Sequence, residues 1–515
     1  MESTAKYSFE TPPDPIPDTK INDTIEAEVI IIGAGTAGLV CANSAVENGL
    51  NVILISASSR PISRGGSNHA INSKLQRELG IDYDVEKNFK REIDRAGGRI
   101  DQDKWYLFAR KSGEAMDWLI DKMVAAGYTP VLEMSGVDPD GILSTYPGSH
   151  CFCTKIKRNV AMGQPLVVNT LAGLAQAAGV RIHYKTVAKQ LVRENNNTGR
   201  VTAVIARNTE GKYIKYVGSK AIVLATGDFT RDKEMVSKYC PEALPLINTA
   251  PVNYDLQLQL SGGLFAGDGH KMGLWIGAAW QQTVPNAPNV IGGAGPHTQP
   301  YTAFKGLAVN KHGTRYCNED MNGCQAGLIQ LRQPDFKVCA IWDVDYAERM
   351  APWYPQGYYY GGPPMKTEEV ITNWENLSLY GKIIKANSIP ELANGLGLDA
   401  DTVTATVDRY NSFCEKGKDE DFYKRAGLLI PVKTPPFYGQ VSNSPDLLMV
   451  CGGLRTNVKM QVLDTNSEVI PGLYAVGTIV GDMFANYYTF VPSGINLGAT
   501  CLTFGYIVGK EIAGS

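Results

Sequence analysis

No stretch of this 515-residue chain approaches eighteen uninterrupted apolar residues, so no helical membrane span is expected. An excess of charge of either sign is also missing. Lys and Arg number 49 against 52 Asp and Glu, a formal net charge of -3. That balance offers no field for nucleic acid or an anionic membrane, and it leaves a small molecule as the expected partner. The ten cysteines contain no CxxC and no CxxCH, and the nearest pair is Cys151 and Cys153. Haem attachment and iron–sulfur ligation are thereby disfavoured, no metal centre is predicted, and reduced thiols are expected. Residues 1–24 have neither an apolar signal core nor twin arginines. Their prolines, from Pro12 to Pro17, predict an extended arm, and a cytoplasmic location is expected.

What is present is an ordinary globular composition, 44% hydrophobic and 20% charged, with 53 glycines. Glu28–Ile32 is an apolar β-branched run that reads as a buried parallel strand. Gly33-Ala-Gly-Thr-Ala-Gly38 follows at once, then a helical pattern over Leu39–Asn48 and a second strand over Asn51–Ser56. This is a βαβ unit carrying GxGxxG in the context that dinucleotide binding requires. Gly33 permits the tight turn, Gly35 lets backbone approach a pyrophosphate, and Gly38 lets helix and strand pack closely. The acidic residue that normally meets the ribose is replaced by Ser56, a weaker partner.

Helical periodicity runs over 101–127. Val180–Leu191 and Val201–Arg207 read as strands joined by a turn at 194–199, and Ala221–Leu224 reads as another buried strand. From 283 to 440 the texture changes. Pro, Gly and aromatics rise, including Tyr358, Tyr359 and Tyr360, and 389–411 has a helical pattern. Nucleotide-binding texture returns at Val469–Gly477, and a last helix is predicted over 494–513. The expected division is an arm (1–24), a discontinuous Rossmann-type domain (25–282 and 441–515) and an inserted α+β cap domain (283–440), an α/β fold as a whole.

Five further segments carry a resemblance. Arg64-Gly-Gly-Ser-Asn-His-Ala-Ile-Asn72, Ala225-Thr-Gly-Asp-Phe229, Gly267-Asp-Gly-His-Lys-Met272, Asn310–Glu319 and Ile470–Gly477 occur in the order of the fumarate reductase/succinate dehydrogenase flavoproteins. That family includes the 3-ketosteroid dehydrogenases. Asp228 stands where the family has a second glycine, and Thr478 stands where it has glutamate. The resemblance implies FAD, bound by Gly33, Gly35, Thr36, Ala37, Gly38, Ala57 and Val187, with Ser56 able to meet the ribose. Arg64, Gly65, Gly66 and Ser67 would belong to the loop that crosses the pyrophosphate and flavin, and Ala225, Thr226, Gly227, Asp268, Gly477, Thr478, Asn496 and Leu497 would also bind the cofactor. It also places His69 in the loop where some members attach flavin covalently. The flanking residues differ, so an uncommitted histidine is expected.

The charged residues that clamp a dicarboxylate in fumarate reductases fall on Val284, Gly323, Met449 and a position near Pro492. Burying two carboxylates without cations costs several kcal/mol, so a dicarboxylate substrate is disfavoured. The C-terminal segment Asn486–Gly498 is closer to the 3-ketosteroid dehydrogenase motif, where a tyrosine and a glycine N–H hold a ketone oxygen. Tyr487, Tyr488, Ser493 and Gly494 are the catalytic candidates, although the strictly matching tyrosine position is Phe490.

The expected activity is hydride exchange between flavin and a C=C bond conjugated to a carbonyl, by ene-reduction or desaturation. A 3-oxo steroid or bile-acid derivative is the leading substrate, with an external electron donor or acceptor. One alternative is a reductase of aryl acrylates or another small enoate, which requires an arginine over the flavin, with Arg332, Arg349 and Arg455 as candidates. Another is a flavoprotein subunit of an electron-transfer complex.

Overall fold

Burial of Val29, Ile30 and Ile31 on both faces places strand β1, Ile21–Ile32, at the centre of a parallel sheet. It pairs in parallel with β2, Val52–Ile55, on one side and with Tyr213–Leu224 on the other. Arg181–His183 extends the sheet beyond β2, and Val469–Ala475 extends it beyond Tyr213–Leu224, both in parallel. Gln461–Leu463 closes that edge antiparallel. The sheet is therefore assembled from both ends of the chain. Helix α1, Thr36–Glu47, packs between Gln164–Ala177 and Phe504–Ala513. This computed structural model describes residues 7–133, 138, 140, 147–157, 161–255, 262–296, 304–353 and 365–514. Tyr358, Tyr359 and Tyr360 lie outside the described residues.

Several elements depart from the periodicity reading. β1 begins at Ile21, so its first four residues fall in the stretch read as an arm; through that extension Ile21 pairs with Tyr213 and Thr24 with Lys215. The segment 389–411 is two helices, Ile389–Gly395 and Ala400–Lys416. Gly397 sits at φ +67 between them and Asp399 caps the second through Thr402 N–H. The terminal helix begins after Gly494, which lies at φ +75, and winds through a wide π-type stretch at Leu497–Thr503.

Between the two parts of the main sheet the chain builds a second one. Its antiparallel order is Leu307–Asn310, Val338–Asp343, Phe437–Ser442, Ile384–Ala386. Trp374, Leu392, Val403 and Val407 cover it from the surrounding helices. The Asn310–Glu319 motif serves this unit's core. Arg315, 4% exposed, forms paired hydrogen bonds to Glu319 (3.1 and 2.8 Å) and to Asp419 (both 3.0 Å). Lys424 lies 3.4 Å from Glu319, so two buried cations balance two buried carboxylates.

Removing one member strands the others without solvent. Arg315→Ala is expected to destabilise the protein by about 3–5 kcal/mol, read by urea unfolding. Burial pushes the Asp419 carboxyl up, but hydrogen bonds from Arg315 and from the Lys424 and Asp421 N–H groups hold it down, from an ordinary 3.8 to about 2. A carboxyl depressed on folding stabilises fully above its unfolded value. This contribution should therefore vanish as pH falls from 3.8 through about 2, and an unfolding titration of wild type against Arg315→Ala should show the two converging there.

Candidate active site

The β1–α1 turn is closed by contacts that admit no side chain. A Cβ on Gly33, at φ +121, would lie 2.2 Å from the Ala225 carbonyl oxygen, and one on Gly38 would lie 1.9 Å from the Gly33 oxygen. Gly35 differs: a Cβ there would meet only the Ile62 oxygen, at 3.8 Å. It faces a cleft instead. Gly35 is also the N-cap of α1 and makes no side-chain cap, so the first N–H groups of the helix are left for an anion.

The cleft encloses about 1460 Å³ of atom-free space, counting its open mouth. Gly33, Gly35, Thr36, Ala37, Ser56, Ala57 and Val187 line one end. Arg64, Gly65, Gly66, Ser67, Ala225, Thr226, Gly227, Asp268, Gly477, Thr478, Asn496 and Leu497 line the rest. Gly38 is not at the surface of the cleft; its place is against Gly33. Some side chains are already engaged: Thr36 donates to Gln164 (2.9 Å), and the Ser56 hydroxyl lies 2.8 Å from that of Ser58.

Others are buried with nothing to bond. The hydroxyls of Ser63 and Thr226 and both terminal nitrogens of Arg64 have no hydrogen-bond partner among the described residues. Such groups cost free energy unless a ligand meets them. A long cleft with a bare helix N-terminus at one end and orphaned donors along it fits a dinucleotide rich in acceptor oxygens.

The catalytic candidates separate. Tyr488 lines the cleft, 2% exposed, between the rings of Phe484 and Phe490 at 5.0 and 4.9 Å, with its hydroxyl 3.4 Å from the Asn496 N–H. Gly494 also lines it. Its carbonyl accepts from the N–H groups of His69 and Gly498, while its own N–H has no acceptor among the described residues. A Cβ on Gly494 would lie 2.5 Å from the Ser67 oxygen. Tyr487 and Ser493 are not brought to the cleft. The Tyr487 hydroxyl instead exchanges hydrogen bonds with the Asn322 side chain (2.8 and 3.0 Å), tying the C-terminal segment to the helix Gly323–Gln330, and burial pushes its phenol up. Ser493 is buried behind the cleft, where its carbonyl accepts from Ser149 (2.8 Å) and meets His69 Nδ1 (2.9 Å).

His69 has both ring nitrogens occupied, the second 2.8 Å from the Tyr83 hydroxyl. Burial pushes its pKa down to about 3 against the opposing Ser493 carbonyl. A ring so engaged is not presented to the cleft. Acid precipitation of the purified protein is therefore expected to release all its flavin to the supernatant; flavin retained in the pellet would contradict this placement of His69.

Three contributors escaped sequence reasoning. Tyr254 donates to Asp268 at 2.5 Å, Phe265 packs beside Gly227, and Asn289 sits opposite Met449 in a two-stranded ladder. No local pattern marks them, because each reaches the cleft through tertiary pairing. Phe490 has a signal in its backbone, φ +55, costly for a bulky residue and common beside functional sites.

Of the positions matching the dicarboxylate clamp, Val284 is 55% exposed, and Met449 lines the cleft without charge. Arg332, Arg349 and Arg455 do not line it: Arg349 pairs with Asp345, and Arg455 reaches Ser467. Arg64 is the one cation among the described lining residues. Its Nη1 lies 3.6 Å from Asp228, whose carboxylate also accepts from the Thr230 hydroxyl at 2.7 Å.

Residues 28–490 match the FAD binding domain family; the chain belongs to it and binds FAD. It is 26% identical to the vinyl phenol reductase of Lactiplantibacillus plantarum, over 94% of this chain and 95% of that one. It is 27% identical to the 3-oxosteroid 1-dehydrogenase of Mycolicibacterium smegmatis, over 69% and 63%. The fold is shared with a 3-ketosteroid-Δ4-(5α)-dehydrogenase of Rhodococcus jostii RHA1 solved with 4-androstene-3,17-dione. That match has TM-score 0.69 and 22% identity, over 97% of this chain and 99% of the other. It is shared too with a flavocytochrome c3 fumarate reductase, at TM-score 0.63 and 21% identity, over 99% and 82%. The chain is thus related to both the fumarate reductase and ketosteroid dehydrogenase branches. No helix among the described residues is long and apolar enough to cross a membrane.

Proposed function

We propose that this protein is an FAD-dependent oxidoreductase acting on a C=C bond conjugated to a carbonyl, with a 3-oxo steroid as the leading substrate. The observation that carries this is that Tyr488 and Gly494 line the same cleft, with Phe490, Leu448 and Met449 among its other lining residues. When bound, FAD supplies or accepts the hydride and its electrons, which an external donor or acceptor renews. The chain's own work is at the carbonyl and the carbon beside it. The open N–H of Gly494 holds the carbonyl oxygen and favours the charge that gathers there. The Tyr488 phenol, its oxygen fixed by the Asn496 N–H, moves the proton at the α carbon.

Relatives named for a vinyl phenol and for 3-oxosteroids support an alkene joined to a conjugated system rather than an isolated one. The contact from Tyr487 to Asn322 supports a second unit joined to the C-terminal segment that carries Tyr488 and Gly494. The test is steady-state turnover with a reduced viologen dye as electron source. A 3-oxo-4-ene steroid should be reduced and an isolated alkene of similar size should not. Absence of turnover with every conjugated carbonyl compound, and its appearance only with a protein partner, would favour an electron-transfer subunit.

A further inference from the structure

The helix Val85–Arg95 turns an unusual face to the protein. Its two buried residues are polar, Asn88 and Glu92, at 2% and 4% exposure and one turn apart. A surface helix ordinarily buries an apolar stripe. Both side chains lead to the C-terminal segment that carries Tyr488 and Gly494, by separate routes.

The first route is short. Glu92 accepts hydrogen bonds from the Thr489 hydroxyl (2.9 Å) and from Arg95 (2.7 Å). The Thr489 oxygen in turn meets the Val491 N–H at 3.4 Å, so one hydroxyl spans Phe490, the residue at φ +55. Sides alternate along this stretch. Tyr488 and Phe490 line the cleft, while Tyr487 and Thr489 turn away to Asn322 and Glu92. The rings of Phe490 and Tyr488 touch edge to face at 4.9 Å. Untying Thr489 therefore lets the costly backbone at Phe490 relax, and the Tyr488 ring moves with it.

The second route is longer. Asn88 donates to the Tyr83 hydroxyl, which lies 2.8 Å from His69 Nε2, and His69 Nδ1 lies 2.9 Å from the Ser493 carbonyl oxygen. A carbonyl only accepts, so Nδ1 carries the ring proton and Nε2 accepts from Tyr83. Burial keeps the ring neutral by pushing its pKa down to about 3, so this order persists. The Ser493 C=O and the Gly494 N–H belong to one planar peptide. Donors on that oxygen, from His69 and from Ser149 at 2.8 Å, fix the direction of the N–H and polarise it.

Resting on the reaction proposed above, we infer that this helix is the positioning element of the site. Glu92 holds the Tyr488 phenol in place through Thr489, and Asn88 aims the Gly494 N–H through Tyr83, His69 and the Ser493 carbonyl. Two groups that act on one substrate, at its carbonyl oxygen and at its α carbon, are then set from a single helical turn. His69, turned from the cleft, has its task behind it.

The test uses the FAD-loaded full chain and the variants Thr489→Val, Thr489→Ser and Tyr83→Phe. A fluorotyrosine placed at position 488 alone reports the ring by its fluorine resonance in oxidised enzyme. Unlabelled reduced enzyme is mixed anaerobically with rising 4-androstene-3,17-dione or cinnamate. Thr489→Val should move or broaden the resonance. It should also lower the limiting rate of flavin reoxidation at least about ten-fold, toward the roughly 100-fold that a misplacement of about 1 Å can cost, with half-saturation changed less than about three-fold. Flavin content should stay unchanged. Thr489→Ser keeps the hydroxyl and should restore both rate and resonance. Tyr83→Phe leaves the His69 tautomer unset, so it should slow the reaction comparably while the resonance stays at its wild-type position.

A resonance unmoved in Thr489→Val overturns the inference, as does one that Thr489→Ser moves equally. So does a rate loss that only follows lost flavin, or Tyr83→Phe turning over as fast as wild type. If neither compound reoxidises the wild-type flavin, yet the resonance answers Thr489→Val and not Thr489→Ser, the reaction proposed above fails while the hold on Tyr488 stands.

Discussion

Gly38→Val is expected to give no folded protein, whereas Gly35→Val is expected to fold and carry no flavin. The two positions lie three residues apart in one turn, so the contrast separates the glycines' duties. At Gly38 the first atom of any side chain would sit 1.9 Å from a backbone oxygen. Neither group can retreat without parting α1 from β1, and disruption of such a packed junction belongs to the tail of substitutions costing more than about 4–5 kcal/mol. At Gly35 the backbone is in the ordinary extended region, φ -86, and accepts valine. The branched methyls then project into the space that a pyrophosphate needs. Loss of the N-cap glycine costs about 1 kcal/mol, too little to unfold the protein. Circular dichroism and the visible flavin bands of the purified variants read both effects. Stoichiometric flavin in Gly35→Val would show that the phosphates lie elsewhere.

The second large effect concerns the adjacent tyrosines. Tyr488→Phe is expected to lower the rate of flavin reoxidation by about 10²–10⁴-fold, the range for loss of a general acid, with flavin content and unfolding midpoint nearly unchanged. Tyr487→Phe should leave the rate within a few-fold of wild type and cost about 1 kcal/mol of stability, because its hydroxyl bonds Asn322 rather than facing the cleft. Rates measured under anaerobic rapid mixing decide between them. Equal losses in the two variants, or a loss confined to Tyr487→Phe, would reverse the assignment.

The tyrosine pair also shows where sequence reasoning stops. Consecutive residues of an extended segment point to opposite sides, so one of the two must turn from the cleft, and only the register of the chain says which. The same holds for Arg64 and Asp228. The aspartate is visible as a departure from a glycine motif, but its partner is 164 positions away, in a loop brought to it by tertiary packing. By contrast, β1, the glycine turn and the following helix were legible because each depends on neighbours within six residues: an apolar β-branched run, then glycines where the backbone must approach itself.

The two helices at Ile389–Gly395 and Ala400–Lys416 share one apolar periodicity, and the break between them is carried by Gly397 and the Asp399 cap. Those signals are present in the sequence and were outweighed by the repeating apolar face. Tyr254, whose hydroxyl reaches Asp268, has no local signal at all.

The most direct test of the central claim is a single anaerobic turnover. The enzyme's FAD is photoreduced, 4-androstene-3,17-dione or cinnamate is added without any protein partner, and flavin absorbance and product mass are followed together. The account predicts return of the oxidised flavin spectrum with one alkene saturated per flavin. Reduced flavin that persists with every conjugated carbonyl compound, yet reoxidises with an isolated alkene or an electron-transfer protein, would contradict it.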